Sequence, residues 1–96
     1  MYKVEIKQRA QSHLKKAALW YNKQQQGLGL RFLDEVEDAF DVLSINPFYA
    51  VRYKEIRGFN LKKFPFLLLY KVDEKVSSVT ILAVFHTSKD PAKYPQ

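Results

Sequence analysis

The 96-residue chain predicts an α+β fold in which a helical hairpin lies on one face of a mostly antiparallel sheet, in the order strand, helix, helix, strand, strand, strand. Three observations lead there. Alternation with period two opens the chain, two stretches of helical period follow with Gly27-Leu28-Gly29 between them, and period two returns after Pro47. A chain of this length has apolar surface for one core, so one domain over residues 1–96 is expected.

Tyr2-Lys3-Val4-Glu5-Ile6-Lys7 alternates apolar and charged residues, as a strand with one buried and one wet face requires. From Arg9 to Gln25, Ala10, Leu14, Ala17, Ala18 and Tyr21 recur at helical spacing and make one stripe. Leu19 and Trp20 fall outside that stripe, where they offer a partner surface or cover the sheet edge. The glycines after Gln26 end this helix and permit the reversal into the next. Phe32, Leu33, Val36, Ala39, Phe40 and Leu43 form the second stripe, with Asp34, Glu35, Glu37, Asp38 and Asp41 opposite it as a solvated acidic face. Asn46-Pro47 stops the helix, because proline pushes the preceding residue out of helical geometry.

Val51 to Arg57, Asn60 to Val72 and Val76 to His86 then read as three strands, broken at Gly58 and at Asp73-Glu74-Lys75. Phe64 to Tyr70 and Val79 to Phe85 are apolar on both faces and should be central. Pro65 has no N–H for a ladder, so a bulge or an edge-facing position is expected there. The tail after His86 is short and punctuated by proline.

Composition excludes several functions. No cysteine is present, which removes disulfides, thiolate zinc sites and thiol nucleophiles together. No run approaches the roughly 20 apolar residues of a membrane span, and the first residues lack a signal-peptide core, so a cytosolic address with no membrane partner is expected. The net charge of +6 is uneven: residues 1–48 hold 7 basic and 6 acidic side chains, residues 49–96 hold 9 and 4. Such a field favours an anionic partner, and its effect weakens with salt.

Motifs for catalysis are few. Gly27-x-Gly29 joins two helices and does not follow a strand, so it is no phosphate loop. The two histidines have no ligand spacing, so neither a metal nor a cofactor is called for, and His13 reads as a surface residue. His86 ends a core strand, where an imidazole can serve as general acid or base. Arg52, Lys54, Arg57, Lys62 and Lys63 supply cations interleaved with Tyr53 and Phe59, a set that suits phosphate and base contacts.

The order of elements, together with Trp20-Tyr21-x-x-Gln24-x-x-Gly27-Leu28-Gly29-x-x-Phe32-Leu33-x-x-Val36, Ile45-x-Pro47, Tyr53-x-x-Ile56-Arg57, Leu61-Lys62-Lys63-Phe64-Pro65-Phe66, Tyr70 and Ala83-Val84-Phe85-His86-x-x-Lys89-Asp90-Pro91, resembles the RelE/ParE superfamily of type II toxin-antitoxin toxins. The resemblance spans nearly the whole chain and is strongest to the ParE-like, plasmid-stabilisation branch. It implies a cognate antitoxin that wraps the toxin, and a free toxin that inhibits DNA gyrase. Leu19, Trp20, Leu28 and Tyr53 are the antitoxin contacts it suggests, and Arg52, Lys54, Arg57, Lys62 and Lys63 the target contacts. The alternative it carries is a ribosome-dependent messenger RNA endoribonuclease with His86 as acid or base and Arg57 and Lys63 on the phosphate. RelE-like nucleases usually hold an arginine in the central strand where Leu67 stands here, which favours the gyrase reading. A third reading is a homologue that binds antitoxin without being toxic.

Overall fold

The computed structural model describes residues 1–49 and 51–87. The elements are β1 (Lys3–Ile6), α1 (Gln8–Gln24), α2 (Leu28–Ile45), β2 (Val51–Tyr53), β3 (Ile56–Asn60), β4 (Phe66–Asp73) and β5 (Ser78–His86). The tail from residue 88 onward, with Lys89-Asp90-Pro91, lies outside the described residues.

The five strands form one sheet in the order β1-β5-β4-β3-β2. β1 runs parallel to β5, with Val4 beside Val79, and every other pair is antiparallel. A parallel neighbour needs a crossover, and the α1–α2 hairpin with the first strands of the meander provides it. The central pair β4 and β5 carries the unbroken apolar runs, and Leu68, Tyr70, Val79 and Ile81 are wholly buried.

Tyr21, Phe32, Phe64 and Phe66 meet where the helical hairpin crosses the sheet. Phe32 lies 5.4 Å from Tyr21, 5.4 Å from Phe64 and 5.1 Å from Phe66, all tilted or edge-on. Each such pair adds about 0.5–1.5 kcal/mol beyond the area it buries. Farther along, the buried Tyr70 hydroxyl donates to the Pro47 carbonyl at 2.7 Å and fastens β4 to the segment leaving α2. Burial raises the Tyr70 phenol pKa, and burial does the same to Tyr21.

The glycines of the hairpin have separate reasons. Gly27 has φ +87°, a left-handed conformation that L side chains rarely adopt. Gly29 faces the Ala18 carbonyl so closely that a Cβ would collide with it, so the missing side chain sets how near the two helices pack. Its N–H, one of the unpaired donors at the start of α2, is taken by the Asn22 side-chain oxygen at 2.9 Å.

The expected strand after Pro47 is instead a hairpin. Val51 to Arg57 turns at Lys54-Glu55, with Lys54 at φ 51°, so the meander has four strands and the sheet five. Gly58 does not break a strand; it lies inside β3, paired with Leu69. A Cβ there would come within 2.8 Å of the Arg52 Cγ, so the glycine lets Arg52 lie across β3. Asn60 ends β3, and β4 starts only at Phe66, because the segment between them turns back under α2. Pro65 stands just before β4 and its carbonyl accepts from Thr87 N–H at 2.7 Å. Pairing slips elsewhere: between Leu69 and Tyr70, leaving Leu82 of β5 as the extra residue, and between Val51 and Tyr53 in β2.

Candidate functional site

Two grooves flank the aromatic cluster. The first, about 520 Å³, runs between α1 and β5 and is lined by His13, Lys16, Trp20, Phe66 and His86. The second, about 740 Å³, runs between α2 and the β3–β4 connection, with Leu28, Val42, Phe59 and Leu61 on its apolar surfaces and charges on both rims.

The α1 groove owes its shape to a place where the sheet ladder changes partner. β1 covers β5 only from Ser78 to Ile81 before the chain turns into α1. Past that point the Val84 N–H donates to the His13 Nδ1 at 3.2 Å. His13 is therefore not a surface residue as expected; it is half-buried and fastens α1 to the central strand. An accepting Nδ1 places the proton of the neutral ring on Nε2. The His86 ring stands edge-on to Phe66 at 5.0 Å, and Trp20 stands edge-on to Tyr21 at 5.1 Å. Leu19 and Trp20 are 55% and 56% exposed, as their place outside the stripe predicts.

The α2 groove is held by a carboxylate. Glu35 accepts the Lys63 N–H on both oxygens, at 2.9 and 3.0 Å, and the Phe64 N–H at 3.3 Å. This corrects the reading of the acidic face as wholly solvated: one of its members caps a loop 28 residues away. Charge-assisted bonds to backbone donors are stronger than neutral ones, so this contact sets the loop's position. Asn22, His13 and Glu35 are the residues that sequence reasoning missed. The signal available for Glu35 was its position on the border of the apolar stripe, one residue before Val36.

The proposed contact residues are scattered. Arg57 lies in β3 opposite Tyr70, donates from Nη1 to the Tyr49 carbonyl at 2.6 Å and covers the Phe48 ring at 5.3 Å. His86 pairs with Phe66, four residues along β4 from Tyr70, a separation of roughly 13 Å at strand rise. Lys63 and Lys62 are exposed on the rim of the α2 groove. Arg52 lies over Gly58, and Lys54 holds its Nζ 5.2 Å from the Tyr53 ring. Among the antitoxin candidates, Leu19 and Trp20 are on α1 and Leu28 lines the α2 groove. Tyr53 sits on β2, three strands from β5 and thus about 14 Å across the sheet. Arg57, Lys63 and His86 do not converge on one point.

The helical hairpin packed on a mixed sheet is a fold shared with solved structures of toxin-antitoxin systems. The chain's fold is similar to a chain of the chromosomal ParDE TA system from P. aeruginosa, with TM-score 0.77 and 15% identity over 92% of this chain and 98% of that one. It is also similar to a chain of the intact E. coli RelBE complex, with TM-score 0.66 and 14% identity over 93% and 100%. A chain of the RelBE2 complex from Mycobacterium tuberculosis gives TM-score 0.62 and 26% identity over 88% and 96%. No curated protein sequence matches. The sequence model of the ParE toxin of type II toxin-antitoxin system, parDE, matches residues 4–91, and the chain belongs to that family.

Proposed function

We infer that this chain is the toxin of a two-component system, silenced by a cognate antitoxin and inhibiting DNA gyrase when released. The match to the ParE toxin family over residues 4–91 carries this reading. The similar P. aeruginosa structure is described as a ParDE system, and the E. coli and M. tuberculosis ones as toxin-antitoxin complexes. That kinship supports an antitoxin as the first partner. Among the described residues no helix is long and apolar enough to cross a membrane, which accords with a toxin acting on a cytosolic target.

The choice of gyrase over messenger RNA is supported by the distribution of cations. Metal-free cleavage through a 2′-hydroxyl needs an acid, a base and a cation around one phosphate. Here Arg57 is committed to the Tyr49 carbonyl and the Phe48 ring, and it stands well away from His86. Leu67 is 4% exposed and supplies no charge to β4. Inhibition by binding makes no such demand.

Inducing the chain alone in bacteria tests the reading. DNA breaks with filamentous cells and intact transcripts are expected. Transcripts cut at codon-linked positions, with cutting lost in His86→Ala, would establish the nuclease instead. Undisturbed growth would establish a non-toxic homologue.

A further inference from the structure

We propose that the released toxin grips its target through the surface where α2 ends and β2 begins, and that this surface seats a protein segment carrying carboxylates beside an apolar side chain. This rests on the gyrase reading above and adds which face of the chain meets the enzyme, and by what chemistry.

The first argument is apolar exposure. Among the described residues ten large hydrophobic side chains are exposed, and four of them, Ile45, Phe48, Tyr49 and Val51, fall within seven positions. Ile45, the last residue of α2, is 71% exposed and Val51 is 52% exposed. Contacts join the segment to its surroundings as one surface. The Phe48 ring stands edge-on to Tyr2 at 5.9 Å, Tyr49 stands edge-on to Phe59 at 5.0 Å, and Val51 pairs with Arg57 across β2 and β3. None of the four lines either groove beside the aromatic cluster. Aromatic residues and an arginine within an exposed apolar patch are the composition of a protein interface centre.

The second argument is charge. From Ile45 to Gly58 the chain carries Arg52, Lys54 and Arg57 against Glu55 alone. None of the three cations forms an ion pair among the described residues. Along α2 the nearest carboxylate is Asp41, one turn before Ile45, and Lys3, next to Tyr2, is already matched by Glu5 at 3.8 Å. The excess is positive, so the complementary partner is acidic. Arg57 is also held ready: Nη1 donates to the Tyr49 carbonyl at 2.6 Å and the guanidinium covers the Phe48 ring at 5.3 Å. A guanidinium has five N–H donors, so a carboxylate can still be bound, and an anchored side chain loses little freedom when it arrives. The anchoring that keeps Arg57 from His86 therefore suits it to docking. A nucleic-acid backbone would use the cations and leave Ile45 and Val51 wet; a protein segment uses both.

The test is inhibition of DNA gyrase supercoiling by the purified chain. Ile45→Glu and the double variant Arg52→Glu/Lys54→Glu are each expected to need at least about tenfold more chain for half-inhibition, the loss a central interface contact carries. Leu30→Glu, equally exposed but at the other end of α2, should inhibit as the wild type does. All these side chains are exposed, so thermal unfolding should show the variants folded. If wild type and both surface variants inhibit alike, the surface assignment is overturned and the gyrase reading stands. It is overturned equally if Ile45→Glu inhibits normally while the double variant loses both inhibition and binding to bare duplex DNA, which would make the surface a nucleic-acid site. A wild-type dimer that Ile45→Glu dissociates without changing inhibition would assign the surface to a second copy instead. If the wild-type chain leaves gyrase unaffected, the gyrase reading falls and this inference falls with it.

Discussion

The α1 and α2 grooves lie on either side of the same aromatic cluster, yet they are built differently. The α1 groove is closed by a neutral imidazole accepting from a strand N–H, and its walls are mostly aromatic. The α2 groove is pinned by a carboxylate accepting two loop N–H groups, and its lining carries charges of both signs, Arg31, Asp34 and Asp38 from α2 and Lys62 and Lys63 from the loop. In both, a helix side chain supplies an acceptor where the strand ladder has stopped. Backbone donors left without a partner away from water cost free energy, and a nearby polar side chain is the cheapest remedy. The difference lies in what lines them: aromatic rings in one groove, exposed charges of both signs in the other.

The comparison breaks most completely at the shared wall. Phe32→Ala removes the ring that touches Tyr21, Phe64 and Phe66, and should cost about 3–5 kcal/mol, read as a fall in the denaturant midpoint. Both grooves should lose their shape together, seen as faster amide exchange at Lys63 and at Val84 in the same variant.

Single clamps should separate the grooves. Glu35→Ala is expected to cost roughly 1–2 kcal/mol, the scale of hydrogen bonds to a charged group discounted for partial exposure. Exchange should quicken at Lys63 and Phe64 and stay unchanged at Val84. His13→Ala should cost at least about 1 kcal/mol, the net worth of its bond to the Val84 N–H, and reverse that pattern by exposing the Val84 amide. Coupled exchange of all three amides in either variant would show the grooves to be one cooperative unit.

The smallest effect should appear in base. Burial raises the phenol pKa of Tyr21 and Tyr70 above the ordinary 10.0. The unfolded chain therefore loses these protons first, so their contribution is complete below pH 10.0 and is lost as pH climbs through the folded-state values. Melting temperature should fall in that window, and Tyr70→Phe should flatten the fall while lowering stability throughout by losing the bond to Pro47.

Much of the fold was legible because it is written in short-range periodicity. The stripes Ala10-Leu14-Tyr21 and Phe32-Val36-Ala39-Leu43 face the core as their spacing demands, and the uniformly apolar β4 and β5 are central. The β2–β3 hairpin was not legible, because Lys54-Glu55 carries no glycine or asparagine and enters the left-handed region on a lysine. For the candidate site, the exposure of Leu19 and Trp20 follows from the helical wheel, but the distances among Arg57, Lys63 and His86 do not. Spacing along a chain says nothing of how many strands lie between two residues.

From the residues alone come the class of fold, the helical hairpin and the central strands, each of which depends on pattern within a dozen or so positions, and the likeness to the ParE toxins, which depends on the order of motifs along nearly the whole chain. Folding in three dimensions was needed to separate Glu35 from its acidic neighbours, to bring His13 to Val84 and to set Asp38 across a groove from Lys63. Those contacts join backbone and side chains 28 and 71 residues apart, or oppose charges on separate elements, and their geometry exists only once the helices have packed on the sheet.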